Sequence, residues 1–320
     1  MSGHWTEHNE GGGRFALWLI RTIGLRCGRT ISRSLLYPIT LYFYLRRPLE
    51  RRASYAFLER MFGKRPSAWQ VMRHLHCFAS TILDRVYLLT DHLRNFDVGV
   101  HGIDELHDQM RARRGVLLLG AHVGSFESLR VLSFQRPDVK VRVVLDTQQT
   151  PAMTELLHAL APDVAKNVID ASRPGHEIVL ALNEAMSEGA LATLLGDRGR
   201  PHESMMVVDF LGSPARFPVA PFIIASMLKV PIVMCLGLYG GGRRYDLHFE
   251  TLAEQLDLPR RGRDAELRAI VQRYATLLEH HVRANPYNWF NFYDFWNLEP
   301  AAADRNVVAE QPAAATGGGR

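Results

Sequence analysis

Little in this chain of 320 residues suits an oxidised, membrane-spanning or cofactor-loaded protein. Only three cysteines occur, Cys27, Cys77 and Cys235. They stand far apart, share no metal-ligand spacing and cannot all pair, which points to a reducing compartment. No apolar run reaches the roughly 20 residues that a bilayer-spanning helix needs. Phe15–Leu25 is interrupted by Arg21, and Leu35–Leu45 contains Pro38. With no small-residue cleavage site after the first run, no signal peptide is expected. Dinucleotide and P-loop fingerprints are missing, because the glycines at 240–242 lead into a strand-like Tyr245–Phe249 instead of a helix. A serine nucleophile elbow is missing too, since Val123 and Glu127 stand where Gly-x-Ser-x-Gly around Ser125 requires glycines. Among the histidines, His74 with His76 and His280 with His281 lack acidic or cysteine companions and i, i+4 spacing. No metal and no redox cofactor is therefore expected.

What is present is enough apolar material, 47% of the residues, for one large core. Short strand-like runs are expected near Val98–Val100, Leu117, Val141–Leu145, Leu191–Leu195, Met206–Phe210, Pro231–Leu236 and Tyr245–Phe249. They alternate with helical patterns at Ser67–Asp91 and Asp264–Ala284, which predicts an α/β fold with a central, mostly parallel or mixed sheet flanked by helices. Four regions are expected. They are a disordered N-terminus over 1–13, a helical membrane-associating region over 14–110, an α/β core over 111–300 and a disordered tail over 301–320.

The most informative stretch runs from Gly115 to Arg130. Four aliphatics between Gly115 and Gly120 are too few for a helix and carry no polar face, so they read as a buried strand. Gly120 and Ala121 allow a tight exit, and helical spacing resumes over Ser125–Phe134. His122 thus falls at the carboxyl end of a strand, where open α/β sheets bind their ligands. Glu127, in the helical turn that follows, is expected to reach one imidazole nitrogen, leaving the other free to act as a base.

His122-Val-Gly-Ser-Phe-Glu127 resembles the His-x4-Asp/Glu block of the lysophospholipid acyltransferase superfamily, and most of all that of the late acyltransferases of bacterial lipid A biosynthesis. The resemblance covers roughly residues 15 to 298. It includes Gly196-Asp-Arg198, Phe210–Pro218, Lys229–Ile232 and the aromatic stretch Asn288–Trp296. It implies transfer of a fatty acyl chain from acyl carrier protein or acyl-CoA to a hydroxyl of a lipid or glycolipid acceptor, by direct attack without an acyl-enzyme. His122 would take the acceptor's proton and Glu127 would support it. Asp197 falls where the family carries a functional acid, and Arg198 beside it would stabilise charge or bind phosphate. Gly124, Ser125, Gly212, Arg216 and Phe217 are the expected substrate-binding residues, the last three on a loop lining an acyl groove. Two departures leave the acceptor open, with amino-acid lipids and polyene pigments as alternatives. Ser125 and Phe126 replace the branch's usual Asn and Trp, and Asp146 stands where an arginine is expected. A thioester or ester hydrolase and a non-catalytic membrane-bound subunit are the competing readings.

If residues 14–29 form one helix, Arg14, Arg21 and Arg29 lie within about 80° of one another, leaving Phe15, Trp18, Leu19 and Leu25 for other faces. Such a basic amphipathic segment suits the interface at the cytoplasmic face of an inner membrane. A net charge of +5 fits anionic headgroups and an acidic carrier protein. Nucleic acid is not expected as a partner, because the arginine clusters fall in no nucleic-acid-binding motif.

Overall fold

The structure is a computed structural model and describes residues 13–111, 115–130, 140–200 and 203–298. The chain opens with helices α1 (Gly13–Arg46), α2 (Pro48–Phe62) and α3 (Ala68–Leu88). Each boundary has a local cause. Pro48 fixes the first turn of α2, and Gly63, at φ 63°, ends it in the left-handed region. At the start of α3, Ser67 and Gln70 form a reciprocal capping box. α1 is broken at Gly28, whose φ/ψ of 77°/165° lies outside the helix, whereas Pro38 sits within the continuing helix.

That break corrects one expectation. Residues 14–29 do not form one continuous helix: Gly28 leaves the helical region, and beyond it stands Arg29. It turns inward and makes a paired contact with the fully buried Asp84 of α3, at 2.7 and 2.8 Å. The side chains of Arg14, Phe15, Trp18, Leu19, Arg21 and Leu25 lie outside the described residues, as do residues 1–12 and 299–320.

Among the described residues nine strands follow: β1 (Asp97–His101), β2 (Val116–Gly120), β3 (Val141–Leu145), β4 (Val168–Asp170), β5 (Leu191–Leu195), β6 (Met205–Phe210), β7 (Ser213–Pro218), β8 (Ile232–Gly241) and β9 (Arg244–Ala253). Among them run helices α4 (Ile103–Arg111), α5 (Pro151–Leu160), α6 (Pro162–Ala165), α7 (Gly175–Ser187) and α8 (Ala220–Leu228), and α9 (Arg263–Ala284) comes last. Seven strands form one sheet in the order β1-β9-β8-β2-β5-β3-β4, parallel except for the antiparallel β8–β9 pair. The expected mixed α/β fold is therefore present.

β2 lies near the middle and every one of its residues is buried. Leu117 and Leu119 enter the main core, while Val116 and Leu118 join a second cluster with Leu106 of α4. Burial on both faces explains why the strand shows no alternation of polar residues. Gly240 and Gly241 end β8 and Gly242 begins the turn into β9, with Gly241 and Gly242 at positive φ.

The segment expected to be a groove-lining loop, Phe210–Phe217, is instead the tip of a separate two-stranded antiparallel hairpin, β6–β7. Leu211 and Gly212 both have positive φ (52° and 75°), which closes a two-residue turn of the kind that matches strand twist. Phe210, Ala215 and Phe217 then face inward and are fully buried. The alternation was masked by Gly212, Ser213 and Pro214, a run that reads as loop when taken alone.

Candidate functional site

β2 and β5 are parallel neighbours, with Gly120 opposite Leu195. Two residues beyond these partners stand His122 and Asp197. Equal overshoot from adjacent strand ends brings the two side chains together, although 75 positions separate them. The imidazole Nδ1 donates to Asp197 Oδ1 at 2.7 Å, and the His122 backbone N–H donates to Oδ2 at 3.0 Å. The Trp289 indole N–H (3.2 Å) and the Asn291 amide (2.8 Å) also donate to Oδ2. Three N–H donors converging on one oxygen of this fully buried carboxylate favour its ionised form. Burial works to raise the Asp197 pKa, but the His122 and Arg198 charges and these hydrogen bonds outweigh it, holding the group well below the usual carboxylate range.

An acceptor-only carboxylate at Nδ1 puts the neutral imidazole's proton on that nitrogen. Nε2 has no partner among the described residues, and the side chain keeps 27% of its surface exposed. Burial and then the Arg198 charge lower the His122 pKa from 6.5, opposed by Asp197. The imidazole is thus neutral at pH 7, oriented by a carboxylate and open at one nitrogen, which is the state a general base requires.

The expected His122–Glu127 contact is replaced by this His122–Asp197 contact. Phe126–Leu129 forms a single 3-10 turn, and Glu127 within it faces elsewhere. Its Oε1 is ion-paired with Arg85 Nε of α3 at 2.6 Å, and its Oε2 accepts from Ser125 Oγ at 2.7 Å. The remainder of the expected helix to Phe134 lies outside the described residues beyond Arg130.

Gly124 and Ser125 hold the turn in place. The Gly124 N–H donates to Asn288 O and the Ser125 N–H to Gly237 O, both at 2.8 Å. Gly124 sits at φ 62°, and a Cβ there would collide with the Gly237 carbonyl, so this close approach requires glycine. The backbone donors and the Ser125 hydroxyl are therefore committed to the framework. Gly212 closes the β6–β7 turn, Phe217 packs in the core against Phe210, Tyr274 and Phe295, and Arg216 donates to the Leu298 carbonyl. None of these three meets His122. Arg198 does belong to the site: its Nη2 donates to Phe290 O at 2.8 Å, its Nε donates to Asn291 Oδ1, and its guanidinium lies 5.7 Å from the Tyr293 ring centre. Burial lowers the Arg198 pKa and raises that of Tyr293.

The residues that sequence reasoning missed are Trp289 and Asn291, which it took only as part of the aromatic stretch Asn288–Trp296. Asn288 anchors their segment to β8 by bonding the Tyr239 backbone N–H and carbonyl at 2.7 and 3.2 Å. Trp289 bridges to Val123, and the Phe290 N–H donates to His122 O at 2.8 Å. A segment far along the chain thus clasps the histidine turn. The polar asparagines recurring inside an aromatic run, at 288 and 291, were the available signal. Among the described residues no group of three or more His, Cys, Asp or Glu side chains is placed to hold a metal ion.

A His–carboxylate pair at the carboxyl ends of adjacent parallel strands, with no elbow serine beside it, is an arrangement suited to proton transfer at the carboxyl end of an α/β sheet. The chain belongs to the bacterial lipid A biosynthesis acyltransferase family, whose model matches residues 26–297. Its class is accordingly that of the lipid A-type acyltransferases. A comparison with curated proteins finds no match.

Proposed function

We propose that the protein transfers a fatty acyl chain from the thioester of acyl carrier protein or acyl-CoA to a hydroxyl of a lipid or glycolipid acceptor. The observation carrying this reading is the His122–Asp197 pair with Nε2 open. Nε2 takes the proton of the acceptor hydroxyl as its oxygen bonds to the thioester carbon. The C–S bond then breaks, and the leaving thiolate regains the proton from the imidazolium. Asp197 supports the imidazolium, and the partly buried Arg198 guanidinium, the neighbour of Asp197 in the chain, adds positive charge that favours the developing oxyanion. Glu127, paired with Arg85, fixes the turn that carries His122.

We propose further that the reaction takes place at a membrane surface, on the cytoplasmic face. Supporting this, Ser32, Leu36 and Thr40 of α1 are buried, whereas Ile31, Leu35, Tyr42 and Leu45 form an exposed stripe at helical spacing, Ile31 being 56% and Leu45 61% exposed. None of the described helices is long and apolar enough to cross a bilayer, so the stripe suits contact in the interfacial plane.

The test is transfer from radiolabelled acyl carrier protein and acyl-CoA into a total bacterial lipid extract, with wild type, His122→Ala and Asp197→Asn. A labelled lipid formed by the wild type and lost in both variants supports the proposal. Free fatty acid released at the same rate with and without the extract would identify a hydrolase instead. No turnover of either donor would favour a non-catalytic subunit.

A further inference from the structure

We propose that Trp289 and Asn291 are positioning residues for the His122–Asp197 pair, setting the orientation of the carboxylate and, through it, the tautomer and proton affinity of the imidazole. This rests on the function proposed above only for the task it assigns to the pair. The geometry itself is independent of that task.

A carboxylate on an Asp side chain has a broad, nearly two-fold terminal torsion, so a single hydrogen bond to the histidine would not hold it. Here Oδ2 is held by the Asn291 amide at 2.8 Å, the Trp289 indole N–H at 3.2 Å and the His122 backbone N–H at 3.0 Å, leaving Oδ1 to face Nδ1. The two side-chain donors are themselves constrained. Arg198 donates to Asn291 Oδ1, which forces the amide nitrogen toward Asp197. Trp289 is fully buried, its ring 4.9 Å from Phe57 and 4.7 Å from Phe295, and its carbonyl accepts from His74 Nε2 at 2.7 Å. Through Phe290 and Asn288 the same segment bonds the backbone of His122 and Gly124. One four-residue segment therefore holds both the base and its carboxylate. Packing alone would call for the rings of this segment, not for two buried N–H groups converging on one oxygen.

The direction of the effect follows from charge. Each donor withdraws density from the carboxylate. Removing one leaves Asp197 a stronger partner for the imidazolium and raises the proton affinity of His122. The carboxylate also gains rotational freedom, and the fraction of molecules with a correctly oriented imidazole falls.

The experiment compares wild type with Asn291→Leu, an apolar replacement of similar shape, and Trp289→Phe, which keeps an aromatic ring and removes the indole N–H. Ring proton–nitrogen NMR spectra across pH, with the His122 signal assigned by its loss in His122→Ala, report tautomer and titration midpoint without any substrate. The wild type should show the Nδ1–H tautomer. Both variants should show a higher midpoint and a mixture of tautomers. Where transfer is measurable, the pH-independent kcat should fall about tenfold or more with KM within about twofold. Folded variants whose His122 midpoint and tautomer match wild type would overturn the proposal. Should Trp289→Phe unfold, Asn291→Leu carries the test alone. If the variants shift the NMR signature but wild type transfers no acyl chain, the functional reading fails while the positioning role stands.

Discussion

His122 and His74 are tied to the same tryptophan by opposite ends. His74 donates from Nε2 to the Trp289 backbone carbonyl, whereas His122 is linked through Asp197 to the Trp289 indole N–H. Both have pKa values lowered chiefly by burial. Their partners differ. The Trp289 carbonyl can only accept, so His74 Nε2 carries the proton and Nδ1 accepts from Ser54 Oγ at 2.8 Å. Both nitrogens are consumed by neutral groups inside a fully buried site. His122 spends one nitrogen on a carboxylate and keeps the other open to solvent. Burial alone therefore does not mark a histidine for chemistry. An ionised partner on one nitrogen and access at the other do.

The sharpest way to break this contrast is to delete each imidazole. His122→Ala should lower acyl transfer by about 10³-fold or more, the range for loss of a positioned general base, with little change in urea midpoint. His74→Ala should do the reverse, losing stability by about 2–4 kcal/mol while the surviving folded protein stays active. Equal losses of activity per folded molecule would erase the distinction.

Next comes the choice between carboxylates. Asp197→Asn replaces an acceptor-only group by an amide that can present its NH2 to Nδ1 and stabilise the wrong tautomer, so kcat should fall by roughly 10³-fold. Glu127→Gln leaves the imidazole's own partner in place and should cost no more than about tenfold in rate, together with about 2 kcal/mol from the partly buried Arg85 pair. If Glu127→Gln proved the more damaging of the two, the His122–Asp197 contact would not be the working pair.

These two carboxylates also show how much could be read from the chain. The β2 run, its tight exit and the placement of His122 were legible because an all-apolar pentapeptide between glycines has few alternatives. Asp197 was visible only by resemblance, since strand adjacency and register decide that it meets His122, and neither is written in local periodicity. Glu127 was misplaced because Phe126–Leu129, the segment that carries it, forms a 3-10 turn, and because Arg85, far earlier in the chain, competes for its carboxylate. The β6–β7 hairpin was hidden by Pro214 and by a Leu211–Gly212 turn whose positive φ at leucine no propensity anticipates. The inward asparagines at 288 and 291 were obscured by the aromatics around them.

The pH dependence of the rate refines the comparison further. Because the folded pKa of His122 lies below 6.5, the acid limb of kcat/KM should fall below 6.5 and disappear in His122→Ala, whose residual rate should be nearly flat. His74→Gln should leave the position of that limb nearly unchanged. A limb shifted as far by His74→Gln as by direct changes at Asp197 would mean that His74 acts on the base and is no spectator.

The smallest expected effect on activity, and the one that isolates His74, lies in stability. Its folded pKa is lowered to about 4 from 6.5. Between these values the unfolded chain binds a proton that the folded protein refuses, so stability rises with pH across that window. The contribution is complete above pH 6.5 and is lost as pH falls toward 4, amounting to about 3 kcal/mol at about 1.4 kcal/mol per pH unit. His122 acts in the same direction, so the slope of unfolding free energy in His74→Gln should become shallower without vanishing, and His74→Gln combined with His122→Ala should flatten it further. Urea unfolding at pH 7, 5.5 and 4 measures this directly. A wild-type slope retained in His74→Gln would show that the buried imidazole takes up its proton without disturbing Ser54 and the Trp289 carbonyl. His74 would then be less rigidly neutral than its two hydrogen bonds require.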